Sequence, residues 1–216
     1  MTPGGLLIVT AVDAERDAVA VALGADEQAA VGPYPALLGA GVTILAGGVG
    51  PAAAAAATAT ALATAAYDLA ISAGIGGGFR GRAAVGEIVE ATLIVAADLG
   101  ADSPDGFLSL DALGFGSGER AAVPLAIPGA RCGPVLTVST VTGTEARAAE
   151  LADRGGYAEA MEGYGVAEAA SRHGIAVAEL RAISNEVGVR GAVSWEIGAA
   201  LGALREAARQ LPGVLS

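Results

Sequence analysis

The stretch Leu69-Ala70-Ile71-Ser72-Ala73-Gly74-Ile75-Gly76-Gly77-Gly78 decides how the fold is interpreted, because it joins an apolar run to a run of glycines. An apolar run without polar alternation is typical of a strand buried on both faces, as in a parallel sheet. We therefore predict a buried strand over 69–73 and a turn over 74–78 at its carboxyl end. Small residues in such a turn expose backbone N–H groups that can hold a phosphate, a water or the edge of a ligand. Ser72, Gly74, Gly76 and Gly77 are thus candidate binding residues, although a tight crossover with positive φ explains the glycines equally well.

Apolar and Ala-rich segments alternate on both sides of this stretch, which predicts an α/β layer architecture. Strands are predicted over 6–12, 42–46, 87–96, 135–140 and 178–185, and helices over 13–23, 51–66, 145–153, 162–172 and 194–210. We predict a long functional loop over 98–118, where turn residues are frequent and periodicity is weak. Since no linker-like or charge-rich segment interrupts the chain, a single domain over 1–216 is expected.

The composition excludes several classes of function. The 216 residues carry a formal charge of −11 with 12 Arg and no Lys, so the chain lacks the clustered cations that a nucleic-acid surface needs. One His and one Cys leave almost no material for Ser-His-Asp or Cys-His catalysis, or for a multi-Cys zinc site. Since no apolar run reaches the length of a bilayer span and no segment resembles a signal peptide, we expect no membrane partner and a cytoplasmic location. We expect small-molecule partners, no metal and no cofactor.

Two further segments carry polar groups where α/β sheets bind ligands. Ala160-Met161-Glu162-Gly163 lies where a coil opens into a predicted helix, and a carboxylate there can accept bonds from two adjacent sugar hydroxyls. Taken alone, Glu162 is more simply explained as an acid that complements the positive end of the helix dipole. The segment Arg181-Ala182-Ile183-Ser184-Asn185 favours a ligand site, because it is the polar carboxyl end of a predicted strand.

With these residues in place, the chain resembles the nucleoside phosphorylase family, and within it the hydrolytic branch that contains methylthioadenosine/S-adenosylhomocysteine nucleosidases and futalosine hydrolases. Thr10-Ala11-Val12-Asp13-Ala14-Glu15 is similar to the family's opening strand and catalytic Glu, and 72–77 to its Gly-rich loop. Met161-Glu162 matches the ribose-binding pair, and 181–184 matches the strand before the base-binding residue. Ser194-Trp195-Glu196 occupies the place of a helix start whose aromatic residue lines the substrate's 5′ side. The motifs are short but collinear with the family over most of the chain.

This resemblance implies a three-layer, nucleoside phosphorylase-like fold with a central mixed, twisted β-sheet flanked by helices. It also implies a nucleoside substrate and a homodimer or larger homo-oligomer in which a neighbour's loop completes each site.

Asn185 departs from the adenine-specific members of this branch, which have Asp at the corresponding position. An acid can deliver a proton to N7 of a departing adenine, whereas an amide cannot. An amide suits a 6-oxopurine, because its N–H can donate to O6 while its oxygen accepts from N7–H. The alternative is that Asn185 only caps a turn into 186–188.

Together with the segment 98–107, Asn185 makes the chain most similar to the futalosine hydrolases. That resemblance implies hydrolysis of the N-glycosidic bond of futalosine, which releases hypoxanthine and dehypoxanthine futalosine on a route to menaquinone. Glu162 would stabilise an oxocarbenium ion through the 2′- and 3′-hydroxyls. Glu15 would be the general base on the attacking water; the alternative is a solvent-facing acid in a helix's first turn, which is a common placement.

The remaining site residues have supporting roles in this interpretation, and rival functions stay open. Ser72 and the glycine amides could hold the attacking water, and Arg181 could pair with Glu162 or Glu15 or belong to an anion site. A purine nucleoside phosphorylase is the nearest rival, with Arg16, Arg80 and Arg82 as candidate phosphate ligands. The others are a methylthioadenosine-type nucleosidase and a non-catalytic nucleoside-binding domain.

Overall fold

The computed structural model describes residues 5–189, 191 and 194–211, which form twelve strands and five helices. The strands are β1 (Gly5–Thr10), β2 (Glu27–Val31), β3 (Tyr34–Gly39), β4 (Val42–Ala46), β5 (Tyr67–Gly78), β6 (Ile88–Ala96), β7 (Gly100–Ser103), β8 (Gly106–Ser109), β9 (Glu119–Ala121), β10 (Arg131–Thr137), β11 (Ala158–Ala160) and β12 (Ala176–Glu186). The helices are α1 (Asp13–Leu23), α2 (Pro51–Thr64), α3 (Glu145–Asp153), α4 (Gly163–Arg172) and α5 (Ile197–Ala208).

The glycine run after Ala73 continues the strand, so the predicted turn over 74–78 is wrong. β12 pairs with β5 in parallel from Ala176↔Leu69 to Glu186↔Gly78, which satisfies the backbone groups that a turn would have exposed. None of the glycines between 74 and 78 has a positive φ, so the crossover alternative is wrong as well. The physical reason for glycine is close approach: a Cβ at Gly76 would lie 2.8 Å from the carbonyl oxygen of Glu159.

Two other parts of the chain differ from the prediction. The segment 98–118 contains a small antiparallel hairpin of β7 and β8 rather than only a loop. The edge hairpin of β2 and β3 was not predicted. All five residues of β2 are exposed or half-buried, so its sequence lacks the buried, apolar face by which a strand is normally recognised.

The main sheet is mixed, and it brings the ends of distant segments together. Its strands follow the order β11-β10-β6-β12-β5-β1-β4-β3-β2, and β9 adds to β6. β5 pairs in parallel with both β1 and β12. The first strand of the path, β11, also pairs antiparallel with β5 at Gly77 and Gly78. The carboxyl ends of β1, β5 and β12 therefore lie side by side, next to β11.

Helices cover both faces of this sheet. On one face, α1 and α5 pack through residues such as Val19 and Leu204 onto Ile8, Ile71 and Leu180. On the other face, the small residues of α2 and α4 form a second core with Val9 and Val177. Such burial of apolar surface is the main stabilising contribution to the fold. No helix within the described residues is long and apolar enough to cross a membrane.

The contact between α2 and α4 is close because both helices present small residues. A Cβ at Gly165 in α4 would collide with the carbonyl oxygen of Pro51, the first residue of α2. Gly50, directly before α2, has a φ of 94°, a region that strongly favours glycine. The two helix N-termini, which flank Gly50 and Glu162, are thereby held against each other.

A β-bulge interrupts β12 near its end. Ile183 pairs with Gly76 and Asn185 pairs with Gly77, so β12 has one residue more than β5 at this point. A bulge of this kind breaks the regular alternation of side chains between the two faces of a sheet.

Candidate active site

A cavity of about 250 Å³ opens at the carboxyl ends of the central strands. Parallel α/β sheets commonly bind ligands at this edge. Most of the predicted site residues contribute to its wall, namely Glu15, Gly76, Gly77, Met161, Glu162, Ser184, Asn185 and Trp195. Four segments that are distant in the sequence thus meet in one place.

Ser72, Gly74 and Arg181 lie behind this wall and not on it. Ser72 is fully buried, and its Oγ accepts a hydrogen bond from Arg181 Nη2 at 2.6 Å. The expectation that Ser72 holds a water in the cavity is therefore corrected, because its hydroxyl is occupied by the guanidinium. Gly74 provides space: a Cβ there would lie 2.6 Å from Arg181 Nη1 and 2.7 Å from Glu15 Oε1.

Glu15 is buried in the first turn of α1 and points back at the sheet, so it is not a solvent-facing acid. Its Oε1 accepts from the Ile75 N–H at 2.8 Å, and its Oε2 accepts from the N–H groups of Ala11 at 2.9 Å and Val12 at 3.2 Å. Burial raises the pKa of this carboxyl above its ordinary value, while the Ile75 N–H and the charge of Arg181 oppose the rise. A carboxylate with a raised pKa that borders a cavity is suited to accept a proton near neutral pH.

Glu162 lies directly before α4 and faces the cavity. Its Oε1 accepts from the Gly50 N–H at 3.2 Å, and its Oε2 lies 3.3 Å from Arg181 Nη1. These two contacts fix the side chain while leaving it on the cavity wall. The turn before α2 thus contributes through Gly50 to the position of this carboxylate.

Arg181 is almost fully buried and connects Glu162 to Glu179, a residue that was not predicted to belong to the site. Its Nε donates to Glu179 Oε1 at 2.9 Å, in addition to the contacts with Ser72 and Glu162. Burial alone would lower the pKa of the guanidinium, but Glu179, Glu162 and Glu15 together raise it. Of the predicted alternatives for Arg181, pairing with Glu162 is confirmed.

Glu179 is itself fully buried, and its pKa is raised by burial against the opposing effect of Arg181. Its Oε2 has no hydrogen-bond partner among the described residues. A Cβ at Gly163 would collide with this carboxylate, so the glycine after Glu162 leaves room for it. β12 is buried on both faces over 177–185, which predicts an apolar residue at 179, and no local signal distinguishes this acid from a surface acid.

Asn185 presents its side chain to the cavity next to Gly77. Its Oδ1 accepts from Ser184 Oγ at 2.8 Å, and its Nδ2 donates to the Glu186 carbonyl oxygen at 3.0 Å. A carboxamide has two N–H groups and two acceptor lone pairs, so one of each remains for a ligand. A Cβ at Gly77 would lie 3.2 Å from this Nδ2. The interpretation of Asn185 as only a turn cap does not account for its place on the cavity wall.

Glu159 also lines the cavity and was missed by sequence reasoning. It is 5% exposed, and Thr142 donates to it twice: from its N–H to Oε1 at 2.9 Å and from its Oγ1 to Oε2. Burial raises the pKa of Glu159, and the two Thr142 hydrogen bonds oppose the rise. Its position three residues before Glu162 was the available signal.

The mouth of the cavity is apolar. Met161, Val49, Val12 and Trp195 contribute to the wall, and Val49 and Trp195 remain 58% and 46% exposed. The Glu196 N–H donates to the Ser184 carbonyl oxygen at 2.8 Å, which holds the segment of Trp195 above Asn185. An aromatic face at an opening suits the apolar part of a ligand that extends outward.

The three arginines that were candidate phosphate ligands contact other groups. Arg16 pairs with Asp13 and Asp17, and Arg80 pairs with Glu186. Arg82 donates to the Gly156 carbonyl oxygen. No Arg is among the described residues that line the cavity. The wall instead carries three carboxylates and an amide, which suit hydroxyl and N–H donors better than an anion.

Comparisons with known proteins agree with this geometry. A model of the phosphorylase superfamily matches residues 31–216. A futalosine hydrolase of Streptomyces coelicolor is 54% identical over 97% of this chain and 96% of its own length. A futalosine hydrolase of Acidothermus cellulolyticus is 48% identical over 93% of this chain and 87% of its own length.

Solved structures of nucleosidases share the fold. The 5′-methylthioadenosine/S-adenosylhomocysteine nucleosidase of Neisseria meningitidis, in complex with methylthio-immucillin-A, matches with a TM-score of 0.78 and 18% identity over 97% of this chain and 99% of that chain. The corresponding nucleosidase of Colwellia psychrerythraea, in complex with adenine, matches with a TM-score of 0.77 and 19% identity over 99% of this chain and 95% of that chain. At such identities the likeness shows the mixed α/β fold alone. The high identity to the first two relatives shows more: this chain belongs to the futalosine hydrolase family of the phosphorylase superfamily.

Proposed function

We propose that this protein hydrolyses the N-glycosidic bond of futalosine and releases hypoxanthine and dehypoxanthine futalosine, as a step toward menaquinone. The observation that carries the proposal is the neutral amide of Asn185 on the wall of a cavity that also contains the carboxylates of Glu15 and Glu162. The names of the two futalosine hydrolases that are 54% and 48% identical to this chain support the choice of substrate.

The reaction proposed here is dissociative. The bond between C1′ and N9 breaks first, and its electron pair leaves with the purine, while positive charge develops on the ribosyl ring. Glu162 accepts hydrogen bonds from the 2′- and 3′-hydroxyls and stabilises that charge through them. Interactions that strengthen as the charge develops accelerate the chemical step.

Glu15 is the proposed general base. A water attacks C1′ from the side of Ile75, its oxygen forms the new bond to carbon, and its proton passes to Glu15. Arg181, Ser72 and Glu179 act as positioning residues in this proposal, because they hold Glu162 and border Glu15 without lining the cavity. Gly76, Gly77 and Met161 shape the wall, and Trp195 covers the 5′ side.

Asn185 is proposed to contact the departing base. Its free N–H donates to O6, and its free lone pair accepts from N7–H once N7 of the departing base has taken a proton from solvent water, while Ser184 fixes the orientation of the amide. Hypoxanthine is a better leaving group than adenine and departs with less assistance, so an acid is not required at this position.

The rival functions differ in what they require at the cavity. Phosphorolysis requires converging cations, which none of the described wall residues supplies, and Glu15 would repel phosphate. A methylthioadenosine-type nucleosidase requires an acid at the position of Asn185. A non-catalytic binding domain does not require a buried carboxylate poised to activate water.

Chromatography of reaction mixtures separates these functions. Purified protein is incubated with futalosine, and with its 6-amino analogue, in the presence and absence of phosphate. We expect hypoxanthine from futalosine without phosphate, and a slower reaction of the 6-amino compound. Release that depends on phosphate would indicate a phosphorylase, and no release of either base would indicate a binding domain. Glu15→Gln protein from the same purification controls for contaminating nucleosidases.

We also propose that the protein works as a homodimer or larger homo-oligomer in the cytoplasm. The half-exposed Val49 and Trp195 at the cavity mouth support association, because a neighbouring subunit would bury them and close the site. Light scattering on the purified protein tests the oligomeric state, and cell fractionation tests the location.

A further inference from the structure

A buried carboxylate on the cavity wall has no part in the reaction described above. Glu159 is 5% exposed and lines the cavity. Burying a carboxylate is unfavourable unless it is hydrogen-bonded, and holding Thr142 alone would need only a neutral acceptor. The position of this negative charge on the cavity wall therefore suggests that a ligand donates a hydrogen bond to it.

Glu159 and Asn185 face each other across a single glycine. Glu159 in β11 pairs directly with Gly77 in β5, and Gly77 pairs on its other side with Asn185 in β12. Directly paired residues project from the same face of a sheet, and two strand spacings separate the two Cα atoms by about 10 Å. Gly77 lines the cavity together with both residues, and a Cβ there would lie 2.9 Å from Val187 Cγ2 and 3.2 Å from Asn185 Nδ2, so a side chain at this position would crowd the wall between the carboxylate and the amide.

Thr142 fixes the direction of the Glu159 carboxylate. Its N–H and its Oγ1 each donate to a different oxygen of Glu159. Donors to both oxygens favour the ionised form of a carboxylate. Each oxygen keeps a further lone pair, so the ionised group can still accept a hydrogen bond from a ligand.

We propose that Glu159 accepts the N1–H of the 6-oxopurine, so that Glu159 and Asn185 together determine which base the site takes. Hypoxanthine carries a hydrogen on N1 and presents a donor there, whereas adenine presents a lone pair, which a carboxylate repels. Asn185 contacts the O6/N7 edge of the same ring. This inference rests on the proposed nucleosidase function and adds a specificity-determining residue to it.

The test compares futalosine with N1-methylfutalosine, which differs only in lacking the N1–H and in carrying a methyl group. Rates of base release are measured for the parent protein and for Glu159→Gln, Thr142→Val and Glu119→Gln. Glu119 is an exposed residue of β9 and serves as the matched control for the same chemical change.

In the parent and in Glu119→Gln, we expect kcat/KM to fall by more than 10-fold when N1 is methylated. In Glu159→Gln, kcat/KM for futalosine should fall by roughly 10- to 100-fold, as for loss of a charge-assisted hydrogen bond. The penalty for N1-methylation should shrink in that variant to a few-fold. If Glu159 only anchors Thr142, then Glu159→Gln and Thr142→Val will slow both substrates equally and leave the ratio unchanged, which overturns the inference.

Binding of the free bases gives a second measurement that needs no variant and no catalysis. Calorimetry on the parent protein should show that hypoxanthine binds at least 10-fold more tightly than 1-methylhypoxanthine. Equal affinities contradict the role of Glu159. Failure of the proposed function is distinct from both results, because in that case futalosine itself releases no hypoxanthine.

Discussion

Glu15 receives three backbone N–H groups and contributes the proposed proton acceptor, so its exchange for Gln isolates the chemical role. Gln keeps the size of the side chain but cannot take the proton from water. We expect kcat for futalosine to fall by on the order of 10²-fold or more with KM nearly unchanged. Steady-state kinetics of Glu15→Gln measure this, with Glu27→Gln on the exposed β2 strand as the control. Activity within a few-fold of the parent would remove Glu15 from the mechanism.

The pH dependence of the same step follows from the burial of Glu15. Burial raises the pKa of this carboxyl above its ordinary value of 4.5, and only the ionised form can act as a base. The rate should therefore fall as the pH falls through a value above 4.5. A kcat profile of the parent protein measures this acid limb, and a midpoint at or below the ordinary value contradicts it.

Asn185 contacts the O6/N7 edge of the base in the proposed site. Asn185→Asp replaces the N–H donor to O6 with a second oxygen. An ionised Asp presents a negative oxygen to O6, which leaves a buried acceptor unpaired. Hypoxanthine release should lose roughly 2 to 3 kcal/mol of transition-state stabilisation. Hydrolysis of futalosine and its 6-amino analogue by both proteins measures the change, with the exposed Gln28→Glu as the matched amide-to-acid control. An unchanged preference between the two compounds would show that Asn185 does not contact the base.

The chemistry of single residues was more predictable than their surroundings. Glu15, Glu162 and Asn185 lie in short motifs, and the structure brings all three to one cavity. Glu179 and the place of Ser72 could not be predicted, because both depend on where a long Arg side chain passes between strands. Local sequence does not encode that path, which depends on pairing between β5 and β12.

At the scale of elements, the glycines at the end of β5 leave room for side chains that neighbouring segments place beside the site. Gly74→Ala adds a Cβ at a point 2.6 Å from Arg181 Nη1 and 2.7 Å from Glu15 Oε1, so both groups must move. We expect a loss of activity of at least 10²-fold, since misplacement of a catalytic group by about 1 Å costs that much. Kinetics together with thermal unfolding measure the effect.

Gly202→Ala provides the control for this substitution. Gly202 lies in α5, and nothing stands within 4 Å of the Cβ it would gain. Ala favours a helix over Gly by about 1 kcal/mol, so this variant should keep full activity and unfold at a slightly higher temperature. If Gly74→Ala is as active as Gly202→Ala, the crowded point above Gly74 is not important for catalysis.

Helices and strands were predicted correctly where the sequence has a buried face or a helical pattern, as for α1, α3 and β4. The continuation of β5 was missed because glycine is intrinsically a poor strand former, and only its pairing with β11 and β12 stabilises it there. The edge hairpin of β2 and β3 was missed because its exposed residues carry little hydrophobic pattern.

At the scale of the whole molecule, the free energy of unfolding and the catalytic rate are expected to be highest in different pH ranges. Burial raises the pKa of Glu15, Glu159 and Glu179 in the folded chain. Their contribution to stability is therefore fully present below the ordinary value of 4.5 and is lost as the pH rises through the raised values. Surface pairs such as Glu150 with Arg147 act oppositely, because their lowered pKa makes their contribution disappear only below that ordinary value.

We therefore expect the free energy of unfolding to decrease as the pH rises above the ordinary value of 4.5 and through the raised pKa values, by about 1.4 kcal/mol per pH unit for each extra proton that the folded chain binds. Urea titrations across this range measure the slope. Glu179→Gln, whose side-chain oxygen can still accept from Arg181, should flatten it. A slope of zero or of opposite sign in the parent protein would contradict the expectation.

The layered α/β architecture was predictable from the alternation of apolar segments along the chain, because each helix must cover a face of the sheet. The approach of β11 to β5 was not, since it joins residues about eighty positions apart through only two residue pairs. That contact is what places Glu159 on the cavity wall.

The extra residue in β12 gives this fold a second way to change the base it accepts. Side chains in an uninterrupted strand alternate between faces, so Asn185 would share the face of Arg181 if Ser184 paired regularly and no bulge were present. The bulge turns it instead toward the face of Gly77. A relative that kept Ser184 and Asn185 but gained one residue in β5 opposite Ser184 would lose the bulge, direct the amide under α4 and leave the purine edge without its partner. Substrate choice at this site can therefore change during evolution through an insertion in one strand, without exchange of the residue that contacts the base.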